Sequence, residues 1–309
     1  MDKLDEETMA RVMKKCYFMR PDLVMPGIME KNNVLTNVKT MKVRDDDVYL
    51  VTYPKAGTNW ACEILDAMLN IDNLEVLKTR SLFEKIPILE FGPSIHPDLV
   101  EDGIEHLPSN VKAVIDPMPS PRRIPTHLLP EYMPEEWHQK KPKTIVCDRN
   151  PKDCLISLLG WHRSTRFLSP LEWNELFEAY MQGLTVYGPY PDFTKAWAKY
   201  ENEPWLMWIR YEDLRLNPKE SFRKVAEFLG KDLTAEQIDQ VIHVTSFDYM
   251  KKAMETVKDR DIFLNKKGVW QRKGVVGNWK EAFTISQNET FNKHYKEGMK
   301  GYEHLMYDC

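Results

Sequence analysis

Three short stretches of this 309-residue chain carry residue types that can hold an anion. In YPKAGTNW, Tyr53–Trp60, Gly57 permits a tight turn that aims backbone N–H groups outward, Lys55 supplies a point charge, and Thr58 supplies a hydroxyl donor. The nucleoside triphosphate loop has the order G-x-x-x-x-G-K-[ST], with the lysine after the glycine. Here Lys55 precedes Gly57, so that reading fails, and a plain strand-to-helix turn with an exposed lysine explains the stretch equally well. In RNPKDCLIS, Arg149 stands just before a helix start and Ser157 lies two turns further on, so both can reach an anion over that start. On its own, a surface arginine beside a capped helix is the better reading. In WQRKGVVGNWKEAF, Arg272 and Lys273 adjoin Gly274, and two cations on a glycine-containing loop suit a phosphate monoester. The alternative is a solvated basic turn, as most charge runs are.

The elements that position these stretches follow from patterning. Val48 to Thr52 is an apolar strand, and after the loop Ala61, Ile64, Leu65 and Met68 recur at helical spacing, with Thr58 or Asn59 as cap. TIVCD, Thr144 to Asp148, is a second strand, followed by a helix with Asn150 as cap and Pro151 at its first position. A third strand runs from Trp205 to Tyr211, and NPKESFRKVAEFLG repeats the signal with Asn217, Pro218 and a stop at Gly230. Strand then helix, repeated, predicts an α/β fold: a central, mainly parallel sheet flanked by helices, with the first anion loop at a strand-loop-helix junction. Residues 1–18 read as an amphipathic helix with Met9, Val12, Met13 and Cys16 on one side. The proline-rich stretch 87–142 reads as loops and short helices walling a pocket, with one strand near Arg123 to His127. No repeat or composition break divides the chain, so residues 1–309 are read as a single domain.

Composition narrows the function classes. The chain is 42% hydrophobic and 29% charged, as expected of a soluble globular protein. Its formal net charge of -4 gives no bulk affinity for nucleic acid, so any anion site is local. The five cysteines, Cys16, Cys62, Cys147, Cys154 and Cys309, form no C-x-x-C and no zinc spacing, which predicts a reduced, cytoplasmic protein without a metal. The N-terminus is too charged for a signal peptide, and no apolar run reaches membrane-span length.

Together the three stretches resemble the cytosolic sulfotransferases, which use 3′-phosphoadenosine 5′-phosphosulfate (PAPS). The family's YPKSGTTW is matched by Tyr53–Trp60, its RNxKDxxxS by Arg149–Ser157, and its RKGxxGDWKxxFT by Arg272–Thr284, with Asn278 in place of the Asp. YEDL at Tyr211 and TSFxxM at Thr245–Met250 also fit, so the likeness runs in order from about residue 40 to 300. The resemblance implies that Lys55, Ala56, Gly57, Thr58 and Asn59 hold the 5′-phosphosulfate. Arg149, Ser157, Arg272, Lys273 and Gly274 would hold the 3′-phosphate. Trp60 and Phe247 would sandwich the adenine, and Tyr211, Thr245, Ser246, Met250 and Trp270 would complete the nucleoside site. The family's P-R-x-x-K-[ST]-H-L stretch is PRRIPTHL here and makes His127 the catalytic base, with Lys55 and Ser157 as its catalytic partners. An imidazole of ordinary pKa ~6.5 suits proton abstraction near neutral pH. The product would be adenosine 3′,5′-bisphosphate (PAP), and no metal is implied.

Three departures from the family pattern stand out: Ala56 for Ser, Asn59 for Thr, and Pro125 for the lysine two residues before the histidine. Pro125 removes a cation expected near the sulfuryl group and puts rate and acceptor range in doubt. The acceptor pocket implied by the resemblance includes Ile88, Phe91, Thr126, His127 and Trp161, an apolar and aromatic set suited to phenols, steroids or catechol- and phenol-type amines. The charged stretch 249–268 is read as a closing loop. The family's dimer segment is matched by Lys280, Thr284, Ile285 and Glu289, implying a homodimer. Two other readings stay open: a nucleotide-binding protein of the same fold with weakened catalysis, and a nucleotide kinase. The kinase is disfavoured by the lysine order and by the lack of a clear magnesium carboxylate.

Overall fold

The computed structural model describes residues 4–27, 33–80, 82–91, 110–165, 168–254 and 274–308. Its centre is a four-stranded sheet of β3 (Val48–Thr52), β4 (Arg123–Thr126), β5 (Lys143–Asp148) and β6 (Leu206–Arg210), in the order β4-β3-β5-β6. All three pairings are parallel, with Val51 opposite Thr126 and Val146, and Asp148 opposite Arg210. A parallel sheet is buried on both faces, which is why β3 and β5 read as near-continuous apolar runs rather than alternating ones.

Successive side chains still point to opposite faces. Val48, Leu50, Ile145 and Cys147 face one layer, built from Ala61, Ile64, Leu65 and Met68 of α2 (Thr58–Leu69), Phe222 and Val225 of α6 (Pro218–Leu229), and Ile238 and Val241 of α7 (Ala235–Val244). Tyr49, Val51, Ile124 and Val146 face the other layer. It contains Leu155 and Leu158 of α3 (Pro151–Ser164), Leu176 of α4 (Trp173–Met181), Trp197 of α5 (Tyr190–Ala198) and Phe291 of α9 (Ile285–Gly298). This is the expected α/β arrangement. Among the described residues no helix is long and apolar enough to cross a membrane.

The N-terminal expectation needs correction. Helix α1 spans Glu6–Met13 only, and Cys16–Arg20 is instead a strand, β1, paired antiparallel with β2 (Leu23–Pro26). The helical spacing of Met9, Val12, Met13 and Cys16 is overridden because β2 is anchored to the body: the Tyr187 N–H donates to the Val24 carbonyl at 2.6 Å. The third strand also ends one residue early, and Tyr211 opens a short helix, Tyr211–Leu216. Asn150 caps α3 as expected, accepting from the Lys152 N–H at 3.0 Å, and Gly230 closes α6 in the left-handed conformation.

Candidate active site

The first loop leaves β3 at its C-terminal end and enters α2. Gly57, not Thr58 or Asn59, is the N-cap, at φ 106°. Thr58 is already the first helical residue, and its hydroxyl shares a buried 2.7 Å hydrogen bond with the Thr52 hydroxyl. Glycine is required at 57 for a second reason: a Cβ there would lie 2.5 Å from Cδ2 of Tyr211. Lys55 also adopts a left-handed backbone, φ 70°, which costs a non-glycine residue about 1–2 kcal/mol. Strain of this kind concentrates at functional sites. The Lys55 ammonium sits 5.3 Å from the Trp161 ring centre, so the loop cation and the expected acceptor wall are neighbours.

Arg149 ties three separate chain segments together. Its guanidinium lies 4.4 Å over the Tyr211 ring, Nη1 donates to the Lys55 carbonyl and Nη2 to the Val275 carbonyl, both at 3.3 Å. These bonds are long, and the buried Nε has no hydrogen-bond partner. The nearest carboxylate, Asp153, stands 3.9 Å from Nη2, too far for a hydrogen bond, so the guanidinium keeps spare donor capacity and the site fits an anion such as a phosphate monoester. Beside it, Asp153 accepts the Gly277 N–H at 2.7 Å and the Trp279 N–H at 3.0 Å. The fully buried Lys152 sets its ammonium 4.1 Å from the Trp279 ring centre. The start of α3 thus holds the chain just after Gly274, whose carbonyl accepts the Tyr211 hydroxyl at 3.3 Å. Behind Arg149, burial pushes the Asp148 carboxyl up to about 7 while it accepts the Tyr307 hydroxyl. Ser157 lies half-buried on the same helix.

Of the expected adenine residues, Trp60 borders this cradle. Trp60 meets Tyr211 edge to face at 5.3 Å and donates its indole N–H to the Thr245 carbonyl at 2.9 Å. The Thr245 hydroxyl itself donates back to Val241, so Thr245 contributes through its main chain. Ser246 and Phe247 are half-buried at the start of α8 (Phe247–Met254). Met250 lines a small cavity with Glu63, Leu77, Lys85 and Tyr249. Trp270, Arg272 and Lys273 lie outside the described residues, as do residues 255–268 of the expected closing loop.

His127 follows the end of β4, next to β3. Its Nδ1 lies 2.8 Å from the Thr52 carbonyl and 3.0 Å from the Thr52 hydroxyl. A carbonyl only accepts, so Nδ1 carries the proton and Nε2 is left as the basic nitrogen. Burial, with Lys55 nearby, lowers the His127 pKa to about 4, which keeps the imidazole neutral at physiological pH. One residue, Thr52, therefore connects His127 to the loop after β3: its carbonyl orients the imidazole and its hydroxyl holds Thr58.

Ile88 is buried, and Phe91 and Trp161 are half-buried and pack against the same core. Thr126 differs from the expectation of an acceptor contact. It is fully buried, its hydroxyl donates to Glu90 at 2.8 Å, and it supports the His127 segment. Glu90 and Tyr187 were not singled out from sequence, although a glutamate inside the apolar run PILEF is itself a signal of a buried, paired carboxylate. Lys280, in the 3-10 turn Asn278–Glu281, and Thr284, Ile285 and Glu289, at the start of α9, lie exposed, with Ile285 81% exposed. Among the described residues, no cluster of three or more His, Cys, Asp or Glu side chains is arranged to hold a metal ion.

Comparison with known proteins gives a consistent picture. The family model described as the sulfotransferase domain matches residues 45–303. Dog sulfotransferase 1B1 is 35% identical over 292 residues, covering 92% of this chain and 95% of its own. Human sulfotransferase 1C2 is 32% identical, covering 86% and 87%. The crystal structure of a mouse sulfotransferase complexed with PAP superposes with a TM-score of 0.73 at 26% identity, covering 94% of this chain and 95% of that one. Retinol dehydratase in complex with retinol and PAP shares the fold, with a TM-score of 0.81 at 22% identity over 99% and 97% of the two chains.

Proposed function

The chain belongs to the sulfotransferase family, transferases of the EC 2.8.2 type, and on that premise we propose that it moves a sulfuryl group from PAPS to a hydroxyl or amine of a small, largely apolar or aromatic acceptor. The observation that carries the proposal is the shared anchoring of base and anion loop on Thr52, with the His127 Nε2 left basic. The unfilled donor capacity of Arg149 supports a phosphate at the other end of the nucleotide. The mouse relative solved with PAP supports the same choice of nucleotide.

His127 Nε2 takes the proton from the acceptor, whose oxygen or nitrogen attacks sulfur in line. Lys55 neutralises charge growing on the bridging oxygen as PAP departs, and Ser157 steers the Lys55 ammonium between the nucleotide and its own hydroxyl. The Gly57, Thr58 and Asn59 amides sit at the N-terminal end of α2, where the helix dipole favours an anion. Arg149 and Gly274, with Arg272 and Lys273, hold the 3′-phosphate. Trp60 and Phe247 hold the adenine, beside Tyr211, Thr245 and Ser246. Such a reaction depends on positioning and electrostatic stabilisation more than on covalent chemistry. Ile88, Phe91 and Trp161 give the acceptor an apolar and aromatic wall, which favours phenols, steroids or phenolic amines. We further place the protein in the cytoplasm, as one domain that pairs through the exposed Ile285 face. Sedimentation of Glu289→Ala at an unchanged dimer mass would remove Glu289 from that interface.

A second reading, nucleotide binding with weak catalysis, is favoured by Pro125 and Ala56, which remove a cation and a hydroxyl from the reaction centre. One experiment separates the two. The protein is incubated with sulfur-labelled PAPS and a panel of phenols, steroids and amines. Labelled acceptor supports transfer, retained PAPS without transfer supports the second reading, and preference for ATP over PAPS contradicts both.

A further inference from the structure

We infer that Glu90 is a positioning residue for His127, required for turnover and not for nucleotide binding; the inference rests on His127 being the base. Glu90 is fully buried, and both of its carboxyl oxygens are used. Oε1 accepts the His127 backbone N–H at 2.9 Å and the Tyr187 hydroxyl at 3.0 Å. Oε2 accepts the Thr126 hydroxyl at 2.8 Å, and that hydroxyl oxygen in turn accepts the Leu128 N–H at 3.1 Å. The Leu89 N–H donates to the Pro125 carbonyl at 2.8 Å. The chain from 125 to 128 is therefore tied, directly or through Thr126, to residues 89 and 90 at each step.

The second arm runs through Tyr187. Its ring meets the His127 ring edge to face at 4.9 Å, and its hydroxyl ends on the oxygen that holds the His127 main chain. One carboxyl oxygen thus fixes both the backbone that carries the imidazole and the ring that flanks it. Tyr187 reaches this place in a left-handed backbone, φ 67°, unfavourable for a non-glycine residue. The turn is held by the Tyr187 N–H on the Val24 carbonyl and by the Tyr53 hydroxyl on the Gly188 carbonyl at 2.8 Å. A buried carboxyl and a strained tyrosine on one histidine are expensive compared with an apolar filling, and packing alone requires neither. Burial pushes the Glu90 carboxyl up to about 7, against the three donors that favour its ionised form. Glutamine with its oxygen at the Oε1 position keeps the acceptor shared by the His127 N–H and the Tyr187 hydroxyl, whereas methionine fills the space and leaves three donors unanswered.

The test measures kcat and the Kd for PAP, by calorimetry, on the full chain. Displacing a base by about 1 Å costs on the order of 100-fold. Glu90→Met is expected to lower kcat at least about 30-fold with the Kd for PAP within about twofold, and Glu90→Gln to stay within about threefold of wild type in both. Tyr187→Phe keeps the ring and loses one donor, so kcat should fall about three- to tenfold with PAP binding unchanged, a readout that stands if the methionine variant does not fold. Wild-type turnover in Glu90→Met or Tyr187→Phe overturns the inference. So does a loss of PAP affinity in step with kcat, or a glutamine variant as slow as the methionine one. His127→Ala separates the two levels: if it retains turnover the base assignment fails, and if it loses turnover while the Glu90 variants do not, only the Glu90 inference fails.

Discussion

Gly57→Ala, set against Gly277→Ala, tests how the anion loop is built. Both glycines adopt positive φ, 106° and 81°, so each alanine meets the left-handed penalty of about 1–2 kcal/mol. Each also gains the same small unfolded-state benefit of about 0.4–1 kcal/mol, which cancels in the comparison. The surroundings differ. A Cβ at 277 meets nothing within 4 Å, whereas one at 57 lies 2.5 Å from the Tyr211 ring, inside any real contact. Forcing that ring aside adds about 1–3 kcal/mol of overpacking. With an unfolding entropy of about 2.1 cal/mol/K per residue, 1 kcal/mol corresponds to about 1.5 °C in Tm for a chain of this length. Gly57→Ala should therefore melt about 1.5–4.5 °C below Gly277→Ala. Tyr211 also supports Arg149 from 4.4 Å, and loss of a cation–π contact of about 0.5–2 kcal/mol weakens PAP about two- to thirtyfold. Thermal unfolding and PAP calorimetry read both effects. Equal Tm and equal PAP affinity in the two variants would refute the claim that Tyr211 is rigidly seated on the loop.

Asp153→Asn turns an amide N–H₂ toward either the Gly277 or the Trp279 N–H, and losing one such charge-assisted bond, about 1–3 kcal/mol, should raise the Kd for PAP roughly tenfold in calorimetry. Because burial lowers His127 to about 4, the acid limb of the kcat/KM profile should fall near pH 4 to 5, not near 6.5. The same depression makes the unfolded chain bind the extra proton between pH 6.5 and 4, so His127 contributes stability above 6.5 that is lost as pH falls to 4; urea titrations of wild type and His127→Gln across this window check the sign. Pro125→Lys should change turnover or acceptor preference more than PAPS affinity, and identical kinetics in the two proteins would remove Pro125 from the account.

The sheet was legible because β3, β5 and β6 are short apolar runs, each followed by a helix start signal, and a buried parallel strand leaves that signature. Each candidate anion element had an ordinary alternative when read alone, and only the three taken together, in order along the chain, pointed to one nucleotide. Capping by Thr58 was misread because a hydroxyl has several possible partners and Thr52, six residues away, is invisible to local pattern. The N-terminal helix was overextended for a similar reason: spacing continues through Cys16, but pairing with β2 decides the backbone. Glu90 and Tyr187 lie 97 positions apart, and a single glutamate in an apolar run carries no period from which its partners could be read.

The central claim is that the nucleotide cradle around Arg149 and the base His127 are separate devices joined at Thr52. Single-turnover sulfuryl transfer from labelled PAPS by His127→Ala, paired with PAP calorimetry on the same preparation, tests it most directly. The account predicts a rate about 10²–10⁴-fold below wild type, the usual contribution of a positioned general base, with the Kd for PAP within about twofold. Transfer at the wild-type rate, or a loss of PAP binding as large as the loss of rate, would contradict it.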